Sequence, residues 1–565
     1  MLSPLDTVDS NCEQPNVLAS TTATKKCVDF VRDLPWEIVK SYIVPRIFGE
    51  GRPVARLNQP YPYLDVSRTW TKRIVSAYGS IHFILGVGHP LSDNHRMRLR
   101  VVAPCIKSLS LTDLGAYNIH ELFKCDQLLS LTKLNIEVTC SQEALLQLLE
   151  TTPNLTHLDM TFYDNPQIPF APFDILDRCP QVIRLNLMLY PNVVIDMTHN
   201  SELSRIYGNI THLQAVCQNE ERRDIFVPLI QHFPNLRLLS LTHPPSSTSM
   251  STIHQHCPKL QQLFLSDEHE PHEIQDDIKE EEDDIPGLRL LSIDARYYYG
   301  DYIPETMIRH HATLESLVLK KGIRLSIPHV ETYLDRQDVE FKQLRSLTIP
   351  DVSQDSFMRF IDWVIQHAPN LQSIEGMDLT AHGHILSNTL RHRPFKRIGL
   401  HCTLQRQEDE YLFLYRHVRL GAQSSIEEIK CIIHCIDEYR PWIFFIPRLT
   451  QLKTLELCFV YDNPFFELDL FINAVSEGCI GLEKVIVKST LLPSFSDWIR
   501  HLSKHRNLQE MIIDTTDIPD HYMIALLGFS HLKLLHLKYH IKNWDSLKRL
   551  KYGIPNLVYT DKLYP

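Results

Sequence analysis

The residues in this chain whose types and spacing suit chemistry are its histidines and cysteines. Cys431, His434 and Cys435 lie within one short stretch, a donor set that zinc would accept if a second pair followed downstream. No second pair follows. Cys431 also falls where the local apolar pattern calls for a buried residue, so a packed thiol is expected there. His254, His256 and Cys257 crowd the end of an amphipathic stretch and read as structural in the same way. Other reaction chemistries lack their residues: there is no Gly-x-Ser-x-Gly turn, no His-Glu-x-x-His pair and no Gly-x4-Gly-Lys phosphate loop. With 18 glycines in 565 residues, a nucleotide-cradling architecture is not expected either. The chain reads as a non-enzyme without catalytic residues, metal or cofactor.

Whatever surface this chain uses must be positioned by a repeat. The pattern apolar-x-x-apolar-x-apolar occurs seventeen times between Ile106 and Leu537. Leu155-Thr-His-Leu158-Asp-Met160, Leu314-Glu-Ser-Leu317-Val-Leu319 and Leu452-Lys-Thr-Leu455-Glu-Leu457 are clear copies. The mean step is about 27 residues, inside the range of leucine-rich repeats. Each core reads as a short strand whose apolar residues point inward and whose intervening residues face out. Amphipathic helices should follow on the other side, as at Ala144, Leu145, Leu148 and Leu149, or at Phe357, Phe360, Ile361, Val364 and Ile365. Proline closes several of these helices before the next strand, in Thr152-Pro-Asn-Leu155, Phe233-Pro-Asn-Leu236 and Ala368-Pro-Asn-Leu371. One repeat cannot bury its own apolar face, so neighbours must stack. The copies ending at Ala215 and Gly376 are poor. The expected fold class is α/β: a leucine-rich-repeat solenoid over residues 86–565, with a curved parallel sheet and helices on its convex side.

Composition narrows the function. Hydrophobic residues make up 44% of the chain, ordinary for a folded protein, and no apolar run approaches the ~18 residues of a membrane span. Met1 to Glu13 has neither a basic start nor an apolar block, and the 13 cysteines show no spaced framework. Reduced thiols and a cytoplasmic or nuclear location are expected. The net charge of −11 is concentrated: residues 267–284 hold eleven acids against one lysine and read as a solvated loop. The remainder is close to neutral, which argues against nucleic acid and against membrane surfaces. At the outward positions of the repeats, eight lysines and arginines face eight acids, so neither a phosphate-reading cluster nor a basic groove is expected. A protein surface of mixed character is the expected partner. The fifth position is mostly polar, but Phe264 and Val318 break that habit. With Leu238 and Leu290 at the third position of nearby repeats, they make a candidate substrate-binding patch.

The N-terminal segments differ. Residues 1–27 read as a disordered tail, and residues 28–85 as a small helical domain. Asp33 can cap a helix in which Pro35 is tolerated in the first turn, and Leu34, Ile38 and Tyr42 fall one turn apart. After a stretch rich in Pro and Gly, Trp70, Ile74 and Tyr78 again share a helical face. Leu34-Pro35-Trp36-Glu37-Ile38 and Val66-Ser67-Arg68-Thr69-Trp70 resemble the two ends of the F-box, with Ser67 where cysteine is usual and a longer middle. Followed by the repeats, the whole resembles the F-box/leucine-rich-repeat proteins. The resemblance implies an all-helical F-box that docks on the Skp-family adaptor of an SCF-type cullin–RING ubiquitin ligase through Leu34, Pro35, Ile38, Tyr42, Val66 and Trp70. It implies that the repeats hold a protein substrate for ubiquitination and proteasomal degradation, catalysis by proximity alone. The rival reading is a repeat scaffold without ligase function, whose N-terminal helices only cap the solenoid.

Overall fold

The computed structural model describes residues 34–43, 68–78, 80–84, 103–112, 128–138, 141–163, 170–196, 205–267, 286–294, 302–320, 327–336, 338–349, 355–378, 393–402, 412–433, 445–460, 468–489, 498–515, 518, 520–529, 532–539, 544–554 and 556–561. The 1–27 tail, Val66 and all of the acidic stretch but Asp267 lie outside them.

Nineteen parallel strands form one sheet. The first nine are β1 (Ser80–Ile84), β2 (Ser108–Thr112), β3 (Lys133–Val138), β4 (His157–Phe162), β5 (Arg184–Leu189), β6 (His212–Cys217), β7 (Leu238–Thr242), β8 (Gln262–Ser266) and β9 (Leu290–Asp294). The next five are β10 (Ser316–Lys320), β11 (Ser346–Thr348), β12 (Ser373–Asp378), β13 (Arg397–Cys402) and β14 (Glu428–Ile433). The last five are β15 (Thr454–Phe459), β16 (Lys484–Ser489), β17 (Glu510–Asp514), β18 (Leu534–Tyr539) and β19 (Leu557–Asp561). Each strand pairs with its chain neighbours, and β1 and β19 are each recorded with a single partner, so the sheet is open. Parallel strands need a crossover, and here it runs back along one side, commonly through a helix.

The register shows why the repeat dictates this arrangement. Leu109, Leu134, Leu158, Leu185, Leu213, Leu239, Leu263, Leu291, Leu317 and Leu347 stand in one unbroken column across ten strands. All are buried. Each stabilises the stack by about 1.5–3 kcal/mol relative to exposure. The helices add a second apolar layer: Ala144, Leu145, Leu148 and Leu149 are buried, as are Phe357, Phe360, Ile361, Val364 and Ile365. This is a leucine-rich-repeat solenoid.

Two features depart from expectation. The sheet begins inside the segment expected to be all-helical, because β1 lies at Ser80–Ile84, and it gains β19 after the last repeat read from the sequence. Tyr78-x-x-Ile81-x-Phe83 and Ile554-x-x-Leu557-x-Tyr559 carry the same spacing, with aromatic rings in leucine places. The poor repeat at Leu371 is explained by a bulge in β12. The register with β13 shifts between Ile374 and Met377, so Met377 and not Gly376 aligns with the core residue Leu400. Gly376 has φ +78°, and a Cβ there would run into the carbonyl of Ile349, so only glycine makes the bulge without strain.

The asparagines of the turns before the strands, three of them in Pro-Asn pairs, carry a ladder of their own. Asn154 donates to the carbonyl of Leu129 at 2.8 Å, Asn209 to Pro180 at 2.8 Å, Asn235 to Gly208 at 2.8 Å, Asn370 to Lys342 at 2.8 Å and Asn507 to Ile480 at 2.6 Å. Each asparagine precedes the first core residue of its repeat and ties that turn to the preceding one. Repeats of unequal length are thereby held in step at one point.

At the N-terminus a short helix, Trp36–Ile38, runs into a π-helical turn, Val39–Ile43. A π turn takes more residues per revolution than an α turn. The inward residues are therefore Leu34, Val39 and Ile43, not Leu34, Ile38 and Tyr42. The helix Arg68–Tyr78 contributes Trp70 and Ile74 to the core, and Arg73 Nη2 donates to the carbonyl of Leu34 at 2.6 Å.

Candidate binding face

Third, fifth and seventh positions of each repeat point to the face opposite the helices, and the alternation is visible in β3 and β4, where Leu134, Ile136, Leu158 and Met160 are buried and the residues between them are not. This face divides into three regions along the chain.

The middle region is covered. Over β6 to β9 much of this face is shielded too: Leu238, Ser240, Thr242, Gln214, Ser292 and Asp294 are all buried. The expected substrate patch falls here. Leu238 is 1% exposed and presents no surface, while Phe264, Leu290 and Val318 are half-buried. The register separates the four residues with polar ones. Ser292 stands between Phe264 and Val318, and Gln262 between Leu238 and Leu290. The apolar side chains are diagonal neighbours, not one continuous row.

The C-terminal region is a lattice of paired charges. Arg397 Nε lies 3.0 Å from Glu375 and 3.7 Å from Glu428, Lys430 Nζ 3.8 Å from Glu375, Lys484 Nζ 2.8 Å from Glu510 and Lys488 Nζ 2.8 Å from Glu456. Glu375 on β12 reaches Lys430 on β14 because Gly399 on the intervening strand has no side chain; a Cβ there would stand 3.0 Å from the Glu375 Cα. Burial opposes ionisation of Glu456, but the Lys488 ammonium, with Lys430 beyond it and the Cys458 thiol donating to it, outweighs burial and leaves the carboxyl below its ordinary range. Arg397, Glu428, Lys430, Glu456, Lys484 and Ile486 line a shallow recess of about 190 Å³. Beside it, Ile486 and Ile512 stand in register as a half-buried aliphatic pair.

The N-terminal region has another character. Lys133, His157, Arg184 and His212 follow one another at the third position of β3 to β6. Two members of this row are histidines, so the balance of lysines and arginines against acids does not single it out.

On the helix side, His254 and His310 form a buried relay. The Leu288 N–H donates to His310 Nδ1 at 3.2 Å, which places the His310 proton on Nε2. That nitrogen donates to His254 Nδ1 at 3.4 Å, and His254 Nε2 then donates to Thr306 Oγ1 at 3.3 Å. Burial, then the charges of His310 and Arg309, hold His254 down to about 3. Burial and Arg309 hold His310 down to about 4. Both rings are neutral at pH 7.

Burial pushes the thiols of Cys179, Cys257 and Cys479 up to about 12, and Cys431 lies in the core. Among the described residues no group of three or more metal-ligating side chains comes together, and no helix is long and apolar enough to cross a membrane.

The residues that the F-box resemblance marks split into two sets. Trp70 is buried and Leu34 half-buried; they hold the two helices together. Pro35, Ile38 and Tyr42 are exposed, Tyr42 at 63%, and Trp36 joins them on the surface.

No protein-family model matches the chain, and no curated protein matches it. Among solved structures, a leucine-rich-repeat protein of Leptospira interrogans is similar over 83% of this chain and 92% of its own, at 12% identity and a TM-score of 0.26.

Proposed function

We propose that this protein is the substrate-recognition subunit of an SCF-type ubiquitin ligase, a non-catalytic receptor working in the cytoplasm or nucleus. A Skp-family adaptor docks on the N-terminal helices and a target protein on the open face of the repeats. The observation that carries the reading is the split just described. Val39, Trp70 and Ile74 bury themselves to hold two helices in contact, while Trp36, Ile38 and Tyr42, large and apolar, are left on the surface immediately before the repeats. Scattered exposed apolar residues need no explanation, but three within seven residues of one element mark an interaction site. The test is co-purification of the adaptor from cells with the proteasome blocked. Ile38→Ala with Tyr42→Ala should abolish it and leave thermal unfolding unchanged, because neither side chain contributes core. If the unmutated chain never retains the adaptor, the reading fails. The second reading, a scaffold without ligase function, is favoured by β1: it follows the helix Arg68–Tyr78 after a single residue and pairs with β2, as an end cap would.

A further inference from the structure

The helix side of the last repeats combines positive charge with exposed apolar surface. The helices Trp498–Ser503, Asp520–Leu526 and Trp544–Gly553 follow one another there, each packed on the next. Their ends are held close: a Cβ added at Gly528 would stand 3.2 Å from the Ser503 side chain, and one at Gly553 2.6 Å from Leu527. Lys504, Leu527 and Tyr552 adjoin these contacts and so share one strip of surface. Ile524, three residues before Leu527, lies on the same helical face. Ile524, Leu527 and Tyr552 are 71%, 41% and 92% exposed, three large apolar side chains on adjacent elements that enter no core. Around them, the three helices and the turn after the first carry Arg500, Lys504, Arg506, Lys548, Arg549 and Lys551 against two acids, Asp520 and Asp545. Lys548 holds Asp545 at 3.4 Å. Lys504, Arg506, Arg549 and Lys551 are exposed and have no ion-pair partner among the described residues.

We propose that the acidic stretch of a second copy docks on this surface, so that the chain self-associates. Carboxylates of residues 268–284 lie over Lys504, Arg506, Arg549 and Lys551, and Ile274 and Ile278 meet Ile524, Leu527 and Tyr552. Charge complementarity selects the occupant: residues 267–284 hold eleven acids against one lysine, with the two isoleucines four residues apart among them. The contact is made between copies. The eighteen residues between Asp267 and Pro286 are tied to the solenoid at both ends and reach at most about 32 Å out and back. Ten strand steps separate β8 from β18, about 48 Å along the sheet. A nucleic acid would use the cations and leave Ile524 and Leu527 in water. An anionic membrane would use both, but the acidic stretch is present on every copy at the same concentration as the surface it fits. The interface is small and charged, so the association is weak and falls with salt. It occupies neither the open face nor the N-terminal helices and does not rest on the ligase reading.

The test is sedimentation velocity of the full chain over a range of concentrations, at low salt and at about 0.5 M salt. The mass should rise above that of one copy at low salt and return to it at high salt. Arg549→Glu with Lys551→Glu should abolish association without shifting thermal unfolding, because both side chains are exposed. Ile524→Ser with Tyr552→Ser, which leaves the charge alone, should weaken it at least about tenfold. Lys133→Gln, on the open face, should change nothing. Deleting residues 268–284 should leave a monomer. Mixing that deletion with the Arg549→Glu, Lys551→Glu chain is the critical sample. Each is monomeric alone, and together they should associate, since one supplies the surface and the other the acidic stretch. A fluorescent peptide of residues 268–284 should bind the deletion chain and compete with association of the native one. A monomer at every concentration and salt, association that survives the deletion or the charge reversal, or a mixture that stays apart overturns the proposal. Binding of oligo-dT or of phosphatidylserine vesicles that is lost in Arg549→Glu with Lys551→Glu, while the peptide binds nothing, reassigns the surface to phosphate and equally overturns it.

Discussion

Mild acid should weaken this protein through the histidine relay, and the size of the effect follows from the geometry. His254 and His310 are neutral in the folded chain down to about pH 3 and 4 respectively, because burial and Arg309 oppose a second proton. In the unfolded chain both protonate near the ordinary value of about 6.5. Between these limits the unfolded state binds more protons, so stability rises with pH across the window and is lost as pH falls below about 6.5. Each pH unit costs about 1.4 kcal/mol per imidazole. At pH 5 the loss is about 2 kcal/mol for each ring and about 4 kcal/mol for the pair. Carboxylates add their own slope, so the measurement is a difference between the native chain and His254→Gln with His310→Asn. The glutamine amide can still donate to Thr306, and the asparagine oxygen can still accept from Leu288. Urea unfolding at pH 7 and pH 5 should show the variant losing about 4 kcal/mol less than the native chain. Solenoids open locally, so hydrogen exchange in the helices Ser247–His256 and Tyr302–Arg309 should report the same difference. Equal pH slopes in the two proteins would mean that the rings accept protons in the folded state, and the relay would be refuted.

Three further outcomes are expected. Trp498 is fully buried with its indole 6.2 Å from the Tyr522 ring, so Trp498→Ala should cost about 3–5 kcal/mol in denaturant unfolding; Trp498→Phe should cost much less, because it also removes an indole N–H that has no partner. Gly376→Ala should lower stability by at least about 2 kcal/mol, from left-handed strain and the clash with the Ile349 carbonyl together; a neutral result would mean that the β12 bulge is not formed. Asn235→Ala and Asn507→Ala should each cost about 1 kcal/mol and add in combination, since they serve turns ten repeats apart; coupling between them would contradict nearest-neighbour stacking.

The strands were legible because their signal is spacing, and spacing survives substitution. Each of the seventeen repeat starts, from Ile106 to Leu532, lies two residues before the first residue of a strand. The outermost strands escaped because Tyr78, Phe83 and Tyr559 stand where leucine was sought, although the spacing is the same. The N-terminal helix was misphased because a period of 3.6 places Ile38 and Tyr42 beneath Leu34, whereas the π turn places Val39 and Ile43 there. The Asn ladder is half visible: Pro-Asn-Leu marks the turns at Asn154, Asn235 and Asn370 but not those at Asn209 and Asn507, and nothing in one repeat shows which carbonyl the amide meets in the repeat before. Burial of Leu238 was illegible, since whatever shields the middle of the face is a matter of tertiary arrangement, and the basic row of β3 to β6 emerges only when residues far apart in sequence are laid side by side.

The pairing of every strand with its chain neighbours alone has a mechanical consequence. Among the described residues no strand pairing clamps one end of the sheet to the other, so tension applied at the termini meets repeats in series. Each interface would part in turn, releasing a length of chain of about 90 Å per repeat at full extension. A pulling experiment should record a train of small steps whose sizes follow the repeat lengths, in place of one large rupture. The molecule would then give way gradually from its ends, and an unfolding machine that seizes either terminus would need only enough force to peel one repeat at a time.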